Sequence, residues 1–294
     1  MGPRKVLGTA PRTGGDVELL TNRRLAELHP TGGHPERPER LARLAGEQVE
    51  RSATREQLER VHEARYLEQL QAIDRNVLLD GDTIASATSW EAAIQAAGVA
   101  LEAVDRGGFA LVRPPGHHAM GGRAMGFCLL NSIAVAARYA QAELGLERVA
   151  IIDYDVHHGN GTEASFRNDD SVLFVSLHQW PFYPGTGGPG TSDETTRNIP
   201  LRAGGGDEVY AAAFAESVEP AVRAFEPDLL LVSAGFDAHE RDPLGQMSVT
   251  EAGFLDLSAR CAALAPRVAA VLEGGYNLET LPRLVDAARG GFAA

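Results

Sequence analysis

The 294-residue chain has two cysteines, one lysine and no apolar run approaching the roughly 18 residues that a membrane-crossing helix needs. Each scarcity excludes something. Cys128 and Cys261 are too few for a disulfide framework and lack zinc-ligand spacing, which fits a reducing compartment. Residues 1–10 include Arg4 and Lys5 but no apolar h-region behind them, and Val6 stands where a myristoylation signal needs Ser or Thr. A cytoplasmic protein with no membrane partner is therefore expected. Lys5 is the lone lysine among 27 basic residues, a bias that GC-rich coding accounts for. No linker, repeat or low-complexity segment divides the chain, so a single domain over 1–294 is predicted.

What is present is an ordinary globular composition, 44% hydrophobic and 23% charged, with a net charge of -13. That charge repels polyanions, so no nucleic-acid partner is expected, and a basic peptide or cationic small molecule fits better. Apolar runs of strand length occur at 109–112, 149–153, 172–177, 229–233 and 268–272. Helical periodicity falls between them, at 90–105, 131–144, 210–225, 250–264 and 278–288. Continuous apolar strands separated by helices predict an α/β fold whose central, mainly parallel sheet carries helices on both faces. The stretch 179–206, rich in Gly, Pro and Thr, reads as a shaped surface loop.

Ligands of parallel α/β sheets bind at the carboxyl ends of the strands. Four of these strands run into unusual polar clusters: R-P-P-G-H-H with His117 and His118, D-Y-D-V-H-H-G-N-G from Asp153, G-F-D-A-H with Asp237, and E-G-G-Y-N-L with Tyr276. Asp153, Asp155 and His157 alternate, and while the chain stays extended they point to one side. One imidazole and one carboxylate need another donor to hold a divalent metal, and Asp237 can supply it. Three protein ligands with an open position describe a catalytic rather than a structural zinc site.

These motifs, with S-L-H, D-P-L-G-Q-M, H-P-E-R-P-E-R-L from His34 and V-H-E-A-R-Y-L from Val61, closely resemble the zinc-dependent histone deacetylase and acetylpolyamine amidohydrolase superfamily over residues 33–281. The resemblance implies an arginase-like fold and removal of an acyl group from acyl-lysine or a small acylated amine. It implies that Asp155, His157 and Asp237 hold Zn²⁺, with Fe²⁺ possible because hard oxygens outnumber nitrogen. Asp153 then orients a cationic His117, and His118, paired with Asn160, is the general base. The amide at 160 resembles the class II branch, since other members carry Asp there. Tyr276 matches the hydroxyl that polarises the scissile carbonyl, with Gly274 and Gly275 letting the backbone swing its ring inward.

Gly126, Phe127 and Tyr183 match the walls of the acyl-lysine tunnel, and Leu244 a position at its mouth. A structural K⁺ is implied at the backbone carbonyls of Asp153, Asp155, His157 and Leu177 and the side chain of Ser176. Arg37 matches an arginine bracing loops beneath the site, while His29, His34, His62 and His239 are assigned structural or surface places. Two other functions compete. An arginase-like dimanganese hydrolase predicts further bridging aspartates after Gly235, where the chain offers Asp237 and, farther on, Asp242. A non-catalytic acyl-amine binder predicts loss of His118, Tyr276 or a metal ligand, and none is lost.

Overall fold

The computed structural model describes residues 17–294, so the readings made on residues 1–10 lie outside the described part. Its strands are β1 (Leu19–Thr21), β2 (Glu47–Gln48), β3 (Val77–Leu78), β4 (Ile84–Ala85), β5 (Phe109–Leu111), β6 (Val149–Asp153), β7 (Val172–Gln179), β8 (Thr196–Leu201), β9 (Leu229–Ala234) and β10 (Val268–Leu272). Eight form one sheet in the order β2-β1-β5-β10-β9-β6-β7-β8, every pair parallel. β3 and β4 form a separate antiparallel hairpin.

The central strands β5, β6, β9 and β10 are buried along their whole length, as continuous apolar runs require. Helices Ser89–Arg106 and Ser132–Leu144 pack on each other, as do Glu251–Ala262 and Leu281–Phe292. Their starts are set by side chains: the Asn131 oxygen accepts from Ala134 N at 3.0 Å and Thr250 Oγ1 from Gly253 N at 3.3 Å. The helix expected over 210–225 is present from Asp207 but widens into one π turn at Phe214–Val218. Pro220 follows, with no N–H to give and a ring that crowds the carbonyl four residues back.

One expectation fails. The stretch 179–206 is not irregular throughout, because β8 pairs in register with β7 from Phe174↔Thr196 to Gln179↔Leu201. The strand lies at the sheet edge, where Pro200 is tolerated because its missing N–H costs no ladder bond on the open side.

Candidate active site

β5, β10, β9 and β6 are consecutive neighbours in the sheet, so the four clusters that follow them in the sequence open onto one place. A cavity of about 180 Å³ is lined there by Asp82, His118, Gly126, Phe127, His157, Tyr183, Leu244 and Tyr276. Seven of these eight are residues the sequence singled out, and Asp82 is not.

Donor atoms of Asp155, His157 and Asp237 lie within 4.8 Å of one another. His157 Nδ1 is 3.1 Å from Asp155 Oδ1 and 3.0 Å from Asp237 Oδ2. Backbone N–H groups hold the carboxylates: Gly274 N and His157 N donate to Asp155 at 2.8 and 2.9 Å, and Val156 N donates to Asp237 at 2.8 Å. Glycine makes the cradle, since a Cβ on Gly274 would lie 2.2 Å from Asp237 Oδ2 and one on Gly235 2.1 Å from Asp155 Oδ2. Burial, then the Asp155 charge, lifts Asp237 to about 7. Burial opposes charge on His157 too, yet its bonds to the two aspartates raise it to about 10. Two buried carboxylates around one imidazole nitrogen thus demand positive charge at their centre. The donor set fits a divalent ion with oxygen and nitrogen ligands.

Asp153 belongs elsewhere. β6 ends at Asp153, so the three alternating residues do not share one extended face. Asp153 Oδ1 accepts from Asp155 N at 3.1 Å and Oδ2 lies 2.9 Å from His117 Nδ1. Burial works against a charged His117, but Asp155 and Asp153 outweigh it and hold its pKa well above the usual histidine range. The adjacent His118 goes the other way. Burial, then the charges of His117 and His157, holds it well below that range. Its Nδ1 lies 2.7 Å from Asn160 Oδ1. An amide oxygen only accepts, so Nδ1 carries the proton and Nε2 is left as the basic atom.

Tyr276 is nearly buried, and burial keeps its hydroxyl protonated far above the ordinary phenol range. Gly275, at φ +115, turns the chain into it. Phe127, a non-glycine at φ +69, meets Tyr276 edge-on at 5.8 Å and His34 at 4.4 Å. Of the two places expected for His34, structural or surface, it takes the structural one, behind the cavity-lining Phe127. Gly126 is required because a Cβ there would stand 2.5 Å from the His118 ring. Tyr183 meets His118 edge-on at 5.2 Å, and Leu244 stands partly exposed with its N–H on Asp242. Ser176 pairs in register with Asp153, and Leu177 is the next, buried residue of β7.

Several supports were not foreseen. Arg40, not Arg37, braces the loops: fully buried, it donates to Gly275 O at 2.8 Å and to Glu273 O, and its guanidinium lies 4.8 Å from the Tyr276 ring centre. Glu36 anchors Arg40 and takes both arms of Arg113, at 2.9 and 2.8 Å. Although burial opposes charge, Arg113 and His29 bring Glu36 down to about 2. Asp242 accepts from the N–H of Leu244, Tyr276 and Asn277, so it sets the tyrosine loop and is not a second bridging ligand. His117, Cys128 and Glu273 also converge. Burial lifts Glu273 to about 7 and the Cys128 thiol well above its usual range, so both groups favour their neutral forms. His29 and His62 are buried and bonded within the framework, at Ser89 and Asn131, and His239 is buried with its Nδ1 accepting from Arg241 N at 3.2 Å. Glu36, Arg40, Arg113, Asp242 and Glu273 lie inside the quoted motifs, whereas His29 and Cys128 lie outside all of them.

Among the described residues no helix is long and apolar enough to cross a membrane. Residues 34–291 match a family profile described as "Histone deacetylase domain". The chain is 47% identical over 223 residues to a protein of Oryza sativa subsp. japonica named "Histone deacetylase 10, chloroplastic", a match covering 68% of this chain but 50% of that protein. It is 39% identical over 285 residues to a "Probable deacetylase" of Archaeoglobus fulgidus, covering 86% of this chain and 79% of that one. A solved structure titled "Crystal Structure of HDA15 HD domain" superposes with a TM-score of 0.89 at 36% identity, covering 96% of this chain and 89% of the other. The chain thus spans about half the length of the rice relative.

Proposed function

Because the chain belongs to the histone deacetylase domain family, we propose that it is a metal-dependent amidohydrolase that removes an acetyl or other short acyl group from acyl-lysine or a related acylated amine. The observation that carries this reading is one cavity lined by a neutral histidine with its free nitrogen fixed, a protonated tyrosine and His157, behind which Asp155 and Asp237 converge with His157 as three metal-type donors. Asp155, His157 and Asp237 would hold Zn²⁺, or Fe²⁺ in its place, which when bound would supply Lewis acidity for the acyl carbonyl and for water. His118 Nε2 takes the proton from the attacking water and later gives it to the departing amine. His117 stays positive beside it, through Asp153, and disfavours early protonation of His118. Tyr276 donates its hydroxyl to the carbonyl oxygen as negative charge grows there. Gly126, Phe127 and Tyr183 exclude water and grip the alkyl chain. A K⁺ at the carbonyls of Asp153, Asp155, His157 and Leu177 and at Ser176 Oγ is proposed as a structural ion that stiffens the ligand strand.

An acetylpolyamine is the second reading, and Asp82 favours it. This exposed carboxylate stands in the cavity mouth, while the neighbouring Asp80 accepts from Asp82 N, Thr83 N and Gly126 N. Apolar Leu244 on the same mouth offers a cation nothing, so the acyl-lysine peptide is the favoured substrate. The test is metal analysis with activity: chelation should abolish amide hydrolysis, Zn²⁺, Fe²⁺ or Co²⁺ should restore it, and about one catalytic divalent ion should bind per chain. Two manganese ions per chain with hydrolysis of a guanidinium substrate would point to the arginase-like enzyme instead.

A further inference from the structure

The segment that follows β7 carries part of the cavity wall on an exposed tip. Phe182 lies flat on the His157 ring, with centroids 5.3 Å apart and planes 16° apart, and Tyr183 meets His118 edge-on. Tyr183 is 40% exposed and Thr186 is also open to solvent, so packing alone does little to hold the tip still. Its main chain turns on itself, Gly185 N to Phe182 O at 2.8 Å and Thr191 N to Gly188 O at 3.3 Å.

Two buried imidazoles tie it to the body. His158 Nδ1 lies 2.8 Å from Thr186 Oγ1, and His178 Nε2 lies 2.8 Å from Gly187 O. Their rings are 4.7 Å apart, and Gly187, at φ +74, sits over both, so that a Cβ there would stand 2.6 Å from each. The carbonyl of Gly187 can only accept, so His178 Nε2 carries a hydrogen. Its Nδ1 lies 2.9 Å from the Ser176 hydroxyl, so both ring nitrogens are engaged. His158 is braced from its far side by Glu163 Oε2 at 2.9 Å and Asn198 Oδ1 at 3.0 Å.

Neither histidine reaches the reacting atoms in the mechanism above. We propose that His158 and His178 form a latch that holds the Phe182 and Tyr183 wall against His157 and His118, and that His178 is a positioning residue for substrate grip. The kinetic part of this inference rests on the amidohydrolase reading.

The test compares His178→Gln with His178→Asn in the full, metal-loaded chain. A glutamine amide nitrogen reaches the place of imidazole Nε2 and keeps the bond to Gly187, whereas an asparagine reaches only the place of Nδ1. His178→Asn should raise KM for an acetyl-lysine peptide roughly tenfold, the scale of one lost pocket contact. Its kcat should stay within about twofold, because uniform binding alone is lost. Amide hydrogen exchange should quicken over residues 180–191 and stay unchanged in β6 and β7, and His178→Gln should behave as the parent in both readouts. Unchanged KM and exchange in His178→Asn, or equal losses in both variants, would overturn the latch. A parent chain that leaves both the peptide and N-acetylated polyamines intact would sink the amidohydrolase reading, and the exchange comparison would still decide the latch.

Discussion

Two consecutive histidines, His117 and His118, end up in opposite charge states because their partners differ. A carboxylate faces the first at 2.9 Å and an amide oxygen faces the second at 2.7 Å. Both are buried, so burial alone would keep both neutral, and Asp155 and Asp153, with Glu273 behind them, recover the charge on His117. The same single-residue logic sets substrate choice at the mouth, where Leu244 and Asp82 share one rim. Replacing Leu244 by Glu adds a second acid there and gives a distal ammonium a partner. The ratio of kcat/KM for N-acetylated polyamines to that for an acetyl-lysine peptide should rise tenfold or more in Leu244→Glu, about 1.4 kcal/mol of discrimination. A parent that already prefers polyamines tenfold would contradict the weight placed on Leu244.

At the scale of elements, buried neutral histidines join loops to helices. His62 Nε2 accepts from Asn131 N at 2.9 Å, at the start of the helix Ser132–Leu144, while its Nδ1 faces Met120 O at 3.1 Å. The ring is satisfied only when neutral, because a proton on Nε2 would face an N–H. Burial accordingly lowers its pKa from 6.5 to about 4. Above pH 6.5 neither the folded nor the unfolded chain protonates this group. As pH falls below that, the unfolded chain takes up a proton that the folded chain refuses, and stability drops until about pH 4. Between pH 7 and 5 the parent should lose about 2 kcal/mol more unfolding free energy than His62→Gln, read from denaturant midpoints at each pH. Parallel slopes for the two proteins would show that His62 is not buried neutral.

For the whole molecule, the sheet order decides what the sequence can disclose. The strands β5, β6, β9 and β10 lie in continuous apolar runs, and each spills directly into its polar cluster, so both the strands and the residues His117, His118, Asp155, His157, Asp237 and Tyr276 are legible. Their meeting follows from adjacency in a parallel sheet. The remaining structure is not legible for stated reasons. β1 reads Leu-Leu-Thr and β2 Glu-Gln, so neither is a continuous apolar strand, and β8 carries a proline that argues against a strand. Asp82 lies on a hairpin remote in sequence from every cluster, and its place in the mouth depends on the close approach of Thr83 to Phe127 N at 3.0 Å. Arg40 lies within the helix Glu39–Ala42 and Arg37 stands before it, and two arginines three residues apart in sequence do not reveal which one is buried.

What unites these scales is the cavity that Tyr276, His118 and His157 line together, with Asp155 and Asp237 converging on His157 behind it. The most direct test is the turnover of an acetyl-lysine peptide by the parent and by Tyr276→Phe, each with its bound metal quantified. Equal metal in the two proteins, with turnover in the variant lower by roughly 10²–10³-fold, is expected when one oxyanion donor is removed. Parent-level turnover in Tyr276→Phe at equal metal content would contradict the assignment of this cavity as the site of amide hydrolysis.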